Sequence, residues 1–180
     1  MNAYLDSSAI VKLYVTEEHS AAVSAYVRAL DHPLPVSHLH YLETRNGLRL
    51  KVFRKEAGRE SAAAAMKLLD EDLRSGVLVR PQLDWVDVFR RAEELSQSHS
   101  EKLGSRALDL LHVSSALLLA AEAFVTFDDR QRTTAEAAGL NVVSTTAFLE
   151  LARVLEEPSR SKERHSQAKA GRKPRSREQE

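Results

Sequence analysis

Five short apolar runs punctuate the chain, and the segments between them carry helical periodicity. The runs are Ala3-Tyr4-Leu5, Pro35-Val36-Ser37, Val77-Leu78-Val79, residues 123–126 and Asn141-Val142-Val143. Apolar residues at three- and four-residue spacing predict helices over 8–14, 18–30, 39–53, 60–73, 86–96, 107–121, 130–138 and 145–155. Gly76 and Gly139 read as helix stops, and residues 98–105 as a polar loop. Runs this short and this apolar suit strands covered on both faces. The alternation therefore predicts an α/β fold with a short parallel sheet flanked by helices. Crossovers in such a sheet are right-handed. Sites in such folds form outside the carboxyl ends of the strands, where strand order switches.

The 180-residue chain has the length of one domain with or without a tail. It contains no cysteine. That excludes disulfides, zinc–thiolate centres, iron–sulfur clusters and a cysteine nucleophile. No segment is long and apolar enough to span a bilayer. The start, MNAYLDSSAIVKLY, has no basic residue before its apolar run and meets Asp6 early, so a secretory leader is not expected. A cytoplasmic protein without membrane partners is the expectation. The overall charge of zero hides an asymmetry. Residues 158–180 hold eight Lys/Arg and three Glu, whereas residues 1–157 hold 18 basic and 23 acidic residues. The tail has no Val, Ile, Leu, Met or aromatic residue and is expected to be disordered. Residues 1–157 are expected to form the domain. Their acidic balance argues against a protein that coats nucleic acid, without excluding a local nucleic-acid site.

Two carboxylates fall where the strand-end rule points. Asp6 follows the first strand directly, and Asp128 follows the fourth. Taken singly, each is also a natural helix cap. Glu43 lies beside the apolar stripe Leu39, Leu42, Leu50 and Phe53, with no Lys or Arg three or four residues away. Asp109 begins the apolar segment RALDLLHVSSALLLAA, on a face shared with His112, Val113, Ala116 and Ala120. Its simpler role is to favour the helix dipole. If the four acids converge, their mutual repulsion is roughly 3 kcal/mol per pair at 5 Å and an effective dielectric of 20. Such a cluster either takes up protons or holds a cation. Oxygen ligands alone suit Mg²⁺ or Mn²⁺.

The segments YLDSSAIVKLY, LETRNGLRL, RALDLLHVSSAL and FVTFDDRQRTTAEAAGL, in this order, resemble the PIN-domain family. The resemblance spans about residues 2–150 and is strongest to the VapC-like toxin ribonucleases of type II toxin–antitoxin pairs. It implies a three-layer α/β/α PIN-like fold. It also implies an endoribonuclease that cleaves single-stranded regions of RNA with water activated by one or two Mg²⁺ or Mn²⁺ ions. On the family's pattern the catalytic and metal-binding acids fall on Asp6, Glu43, Asp109 and Asp128, and the doubled acid leaves either Asp128 or Asp129 as the fourth. The small hydroxyl after the first acid falls on Ser7 or Ser8, with Ser8 favoured as a polar support, and Thr126 is a further pocket residue. The implied partners are an RNA substrate, a cognate antitoxin protein and a second copy of the chain.

Lys12, Arg45, Arg49, Arg106 and Arg130 lie near the acidic motifs and are candidate phosphate contacts, although each also suits a solvated helix face. His112 reads as a core histidine before a catalytic base. Tyr14, Tyr41 and Trp85 read as core or dimer-interface residues. Two other function classes fit parts of the pattern. A haloacid-dehalogenase-like phosphatase would use Asp6 as nucleophile and Asp128-Asp129 for Mg²⁺, but it wants a second Asp where Ser8 stands. A non-catalytic PIN-like module would bind RNA or a partner without cutting.

Overall fold

The structure is a computed structural model, and it describes residues 2–144, 146–150, 153 and 154. The expected tail and the end of the last expected helix lie outside the described residues. The elements are β1 (Ala3–Leu5), α1 (Ser7–Val11), α2 (Ser20–Arg28), β2 (Leu34–Pro35), α3 (His38–Phe53), α4 (Arg59–Ser75), β3 (Leu78–Val79), α5 (Trp85–Leu95), α6 (Glu101–Leu103), α7 (Ala107–Leu118), β4 (Ala123–Val125) and α8 (Asp129–Ala137). Residues 146–150 are helical. No helix among the described residues is long and apolar enough to cross a membrane.

The strands pair in parallel, as the alternation predicts. β1 lies on β4 with Ala3, Tyr4 and Leu5 opposite Ala123, Phe124 and Val125. β2 lies on β3 with Leu34 and Pro35 opposite Leu78 and Val79. Successive side chains leave opposite faces of a strand, and the core divides accordingly. Ala3, Leu5, Ala123 and Val125 pack with Ile10, Val23, Tyr26, Leu69 and Phe148 on one face. Tyr4 and Phe124 pack with Val88, Leu95, Leu110, Val113 and Ala135 on the other. These are the three layers, with α3 and α4 sealed by Leu48, Ala62 and Ala65 at one end.

Two expectations are corrected. The fifth strand is a single bridge, Val142 to Phe124, closed by Phe124 N–H to Asn141 (2.9 Å) and Val143 N–H to Phe124 (2.9 Å). The polar loop expected at 98–105 is mostly helical. After α5 the chain makes a π turn over Ser96–Ser100, runs through α6 and stops at Gly104, whose φ is +65°. Serine hydroxyls bonding one turn back, such as Ser98 to the Glu94 carbonyl, support this polar turn without any apolar face. Gly76 and Gly139, at φ +81° and +85°, end α4 and α8 as expected.

The sheet is split between β1 and β2, and Pro35 supplies the reason. The amides of Leu34 and Val36 bond toward β3. Alternation turns position 35 toward β1, where proline has no N–H to give. Along β1, the Asp6 amide bonds toward β4, so alternation turns the Leu5 carbonyl toward the split. His40 fills it. Its Nε2–H donates to the Leu5 carbonyl (2.8 Å), and its Nδ1 accepts from the Ser37 amide (3.1 Å). The fully buried ring is held neutral: burial pushes its pKa well below the ordinary value, assisted by nearby His112 and Arg80 against the Leu5 bond. An unfolded His40 titrates near pH 6.5, and the folded one resists protonation. Its contribution to stability is therefore complete above about pH 6.5 and declines as pH falls below that value, by up to roughly 1.4 kcal/mol per pH unit. Urea unfolding between pH 7 and pH 5 should show this slope in the wild type and a shallower one in His40→Asn. Equal slopes would remove the assignment.

Candidate active site

Asp6 ends β1 and begins α1, and the two roles fix its carboxylate. Its amide donates to the Val125 carbonyl (3.0 Å), which continues the β1–β4 ladder by one residue. Its Oδ1 accepts from the Ala9 amide (2.8 Å), which caps α1, and from the Ser8 hydroxyl (2.7 Å). Its Oδ2 accepts from the Thr126 hydroxyl (2.7 Å). Thr126 in turn accepts from the Asp128 amide (3.0 Å), joining the ends of β1 and β4. Asp6 is only 2% exposed. Burial pushes its pKa above the ordinary carboxylate value, and His112 with these three donors pulls it only part of the way back. A buried carboxylate of this kind is poised to accept either a proton or a cation.

Glu43 reaches the same edge from α3. Its Oε2 accepts from the Ser7 hydroxyl (2.7 Å) and from His112 Nε2 (2.5 Å). Burial alone would raise its pKa, but the bond and charge of His112 and the Ser7 hydroxyl outweigh it, and the net direction is down. Asp109 stands in the first turn of α7, where its Oδ2 accepts from the Arg106 amide (3.2 Å). Its pKa is raised, first by burial and then by the charge of Asp128. Asp128 caps α8 by accepting from the amides of Arg130 (2.9 Å) and Gln131 (3.1 Å). The capping roles considered for Asp6 and Asp128 are therefore present alongside their position at the strand ends. Asp129 faces solvent and pairs with Arg132, so of the doubled acids it is Asp128 that faces Asp109.

The four acids form two halves. Ser7 and His112 tie Glu43 beside Asp6, while Asp109 and Asp128 sense each other by charge. Among the described residues no three His, Asp or Glu side chains stand close enough together to hold a metal ion. The chemistry of the donor set nevertheless fits Mg²⁺ or Mn²⁺: every donor is a carboxylate, one is buried and raised, and Glu43 Oε1 has no hydrogen-bond partner among the described residues. A bound cation would have to draw the two halves together.

Beside Glu43 an open groove of about 450 Å³ runs between α1, α3 and α7, lined by Ser7, Leu39, Leu42, Glu43, Asn46 and Leu108. A second hollow of about 360 Å³ adjoins it across Ser8, Val11, Gly47 and Leu50, with Lys12, Lys51, Arg54, Phe127 and Asp128 on its walls. The candidate phosphate contacts separate here. Arg45 is engaged by Asp70 (3.0 Å) and the Tyr41 hydroxyl (3.0 Å). Lys12 is engaged by Glu17 (2.9 Å), which also binds Lys51 (2.6 Å). Arg49 and Arg106 are exposed, and Arg130 is half-buried beside Asp109. Tyr14 bonds Asp72 (2.7 Å), Tyr41 bonds Asp70 (2.8 Å), and Trp85 packs on the second core face.

Sequence reasoning gave two residues less weight than their contacts warrant. Ser7 supports Glu43 while Ser8 supports Asp6, so the consecutive hydroxyls serve different acids. His112 is a core histidine, 3% exposed, as its apolar helix suggests, yet it also contacts Glu43. Its place on the same face as Asp109 was the available signal.

The family model described as PIN domain matches residues 3–137. The chain is 31% identical over 143 residues to Ribonuclease VapC46 of Mycobacterium tuberculosis, an alignment covering 78% of this chain and 95% of that protein. Two solved structures share the fold. VapC20 of Mycobacterium tuberculosis, described as a sarcin-ricin loop cleaving toxin, aligns with a TM-score of 0.56 at 17% identity, covering 77% of this chain and 95% of its own. FitAcB from Neisseria gonorrhoeae aligns with a TM-score of 0.51 at 17% identity, covering 79% and 96%.

The Thr126 hydroxyl joins Asp6 to the start of α8, and Thr126→Val removes it while keeping the side-chain shape. The variant should lose about 1–3 kcal/mol of stability, because a buried carboxylate and a backbone amide each lose a partner. Denaturant unfolding measures this, and a loss below about 0.5 kcal/mol would show that the hydroxyl is not a structural link.

Proposed function

The chain belongs to the PIN-domain family, and on that footing we propose that it is a divalent-metal-dependent endoribonuclease acting as the toxin of a toxin–antitoxin pair. The observation that supports the reading best is the set of carboxylates at the carboxyl ends of β1 and β4, one of them buried against hydroxyl and amide donors. The relative named a ribonuclease supports it further, since nearly the whole of that protein aligns with this chain.

Asp6, Glu43, Asp109 and Asp128 would hold the cation. A bound Mg²⁺ or Mn²⁺ supplies activation of a water and neutralisation of phosphate charge. The protein's own groups do the rest. Thr126, Ser8 and the Ala9 amide keep Asp6 in one orientation, so its carboxylate need not reorganise when substrate arrives. The groove beside Glu43 is open and apolar on one wall, a shape that accepts an unpaired strand. Of the five candidate phosphate contacts, Arg49, Arg106 and Arg130 are left to meet phosphates, while Arg45 and Lys12 serve structural ion pairs. Attack by water rather than by the ribose 2′-hydroxyl leaves 5′-phosphate and 3′-hydroxyl ends. We place an antitoxin segment on the exposed Leu42, Leu50 and Phe53 beside the groove. A homodimer and a cytoplasmic location complete the proposal.

Incubation of the full chain with structured RNA and Mn²⁺ should yield such ends, and Asp6→Asn should remove at least 10²-fold of the activity, the order expected when electrostatic stabilisation of the transition state is lost. Products ending in 2′,3′-cyclic phosphate, or full activity in the variant, would overturn the reading. The pH dependence follows from Asp6. The active form needs its carboxylate ionised, and its pKa is raised, so activity should fall with acid at a pH above the ordinary carboxylate value of about 3.9. Raising Mn²⁺ should move that limb to lower pH, because cation and proton compete for one group. A limb that does not respond to Mn²⁺ would separate the titration from cation binding.

A further inference from the structure

Both donors that reach Glu43 meet the same oxygen. Ser7 Oγ stands 2.7 Å from Oε2 and His112 Nε2 stands 2.5 Å from it, while Oε1 has no hydrogen-bond partner among the described residues. His112 is itself immobilised. Its Nδ1 lies 2.8 Å from the Tyr4 hydroxyl, and its ring meets Tyr4 and His40 edge-on at 5.9 and 4.8 Å. An ionised carboxylate oxygen only accepts, so Nε2 carries the N–H that donates to Glu43. Tyr4 sits at the centre of β1, wholly buried and stacked on Phe124 at 5.5 Å. A fixed line therefore runs from the middle of the sheet through His112 to one oxygen of Glu43.

A glutamate lining an open groove has three side-chain rotations to lose when it takes up a ligand. Two donors on one oxygen remove that freedom during folding and leave the other oxygen without a protein donor. We propose that His112 is the positioning residue of Glu43, holding Oε2 through Nε2–H so that Oε1 is presented to the divalent cation. The inference rests on the metal-dependent reading above and adds to it the group that sets the geometry of one ligand. Residues that orient metal ligands through such bonds commonly change metal affinity 10–100-fold when replaced.

The test uses the full chain and Mn²⁺ alone, followed by calorimetry, with thermal unfolding recorded on each protein. His112→Leu fills the space without a donor and should bind Mn²⁺ about 10–100-fold more weakly. His112→Gln restores an N–H donor and should stay within about threefold of wild type. Wild-type affinity in His112→Leu overturns the inference. So does an equal loss in both variants, which would make His112 a filler of space. If His112→Leu does not fold, Tyr4→Phe carries the test: it keeps the packing, releases the Nδ1 tether and should weaken binding, and unchanged affinity overturns the inference. A wild type that binds no Mn²⁺ at millimolar concentration removes the cation reading and this inference together. Binding that is indifferent to position 112 removes the inference alone.

Discussion

The architecture depends on one buried carboxylate. Asp6 is the last residue to bond across the β1–β4 pair, the cap of the helix that follows, and the acceptor for a hydroxyl at the end of the neighbouring strand. Removing a carboxylate from water is costly unless donors replace the lost solvent. Here four separate groups, from Ser8, Ala9, Thr126 and the charge of His112, offset that cost. The offset is incomplete, which is why the group remains raised. The fold thus brings an under-compensated negative charge to the edge of its sheet, and the surrounding acids and hydroxyls are arranged about it.

The overall plan was legible because it follows from strand and helix periodicity. A run such as Ala3-Tyr4-Leu5, buried on both faces and ended by a capping acid, carries its structure locally. The segments that departed from expectation carry theirs elsewhere. Ser96–Ser100 has no apolar stripe to reveal a helix, and its turn is set by serine hydroxyls and by its continuity with α5. Val142 is strand-like in composition, but only one residue of β4 is available to it.

The site was legible in part for the same reason. Asp6 and Asp128 follow strands, so the chain itself says where they go. The partner of Glu43 lies 69 residues away on α7, and the hydroxyl that serves it is Ser7 rather than Ser8. Neither pairing follows from spacing along the chain, because a helix of five residues turns adjacent serines to different neighbours. The basic residues show the limit from the other side. Arg45 and Arg49 are one helical turn apart, yet Asp70 of α4 takes the first and leaves the second in solvent.

The imidazole between β1 and β2 has a consequence of a different kind. A parallel sheet interrupted at its centre contains an internal edge, and an unpaired strand edge is a template on which another chain can add. Most proteins guard such edges at the rim with charge, proline or a bulge. This chain guards one in its interior with Pro35, which cannot donate, and His40, which occupies the acceptor that a foreign strand would need. Position 40 therefore stands in for a strand neighbour, and the interruption leaves no unpaired acceptor at Leu5.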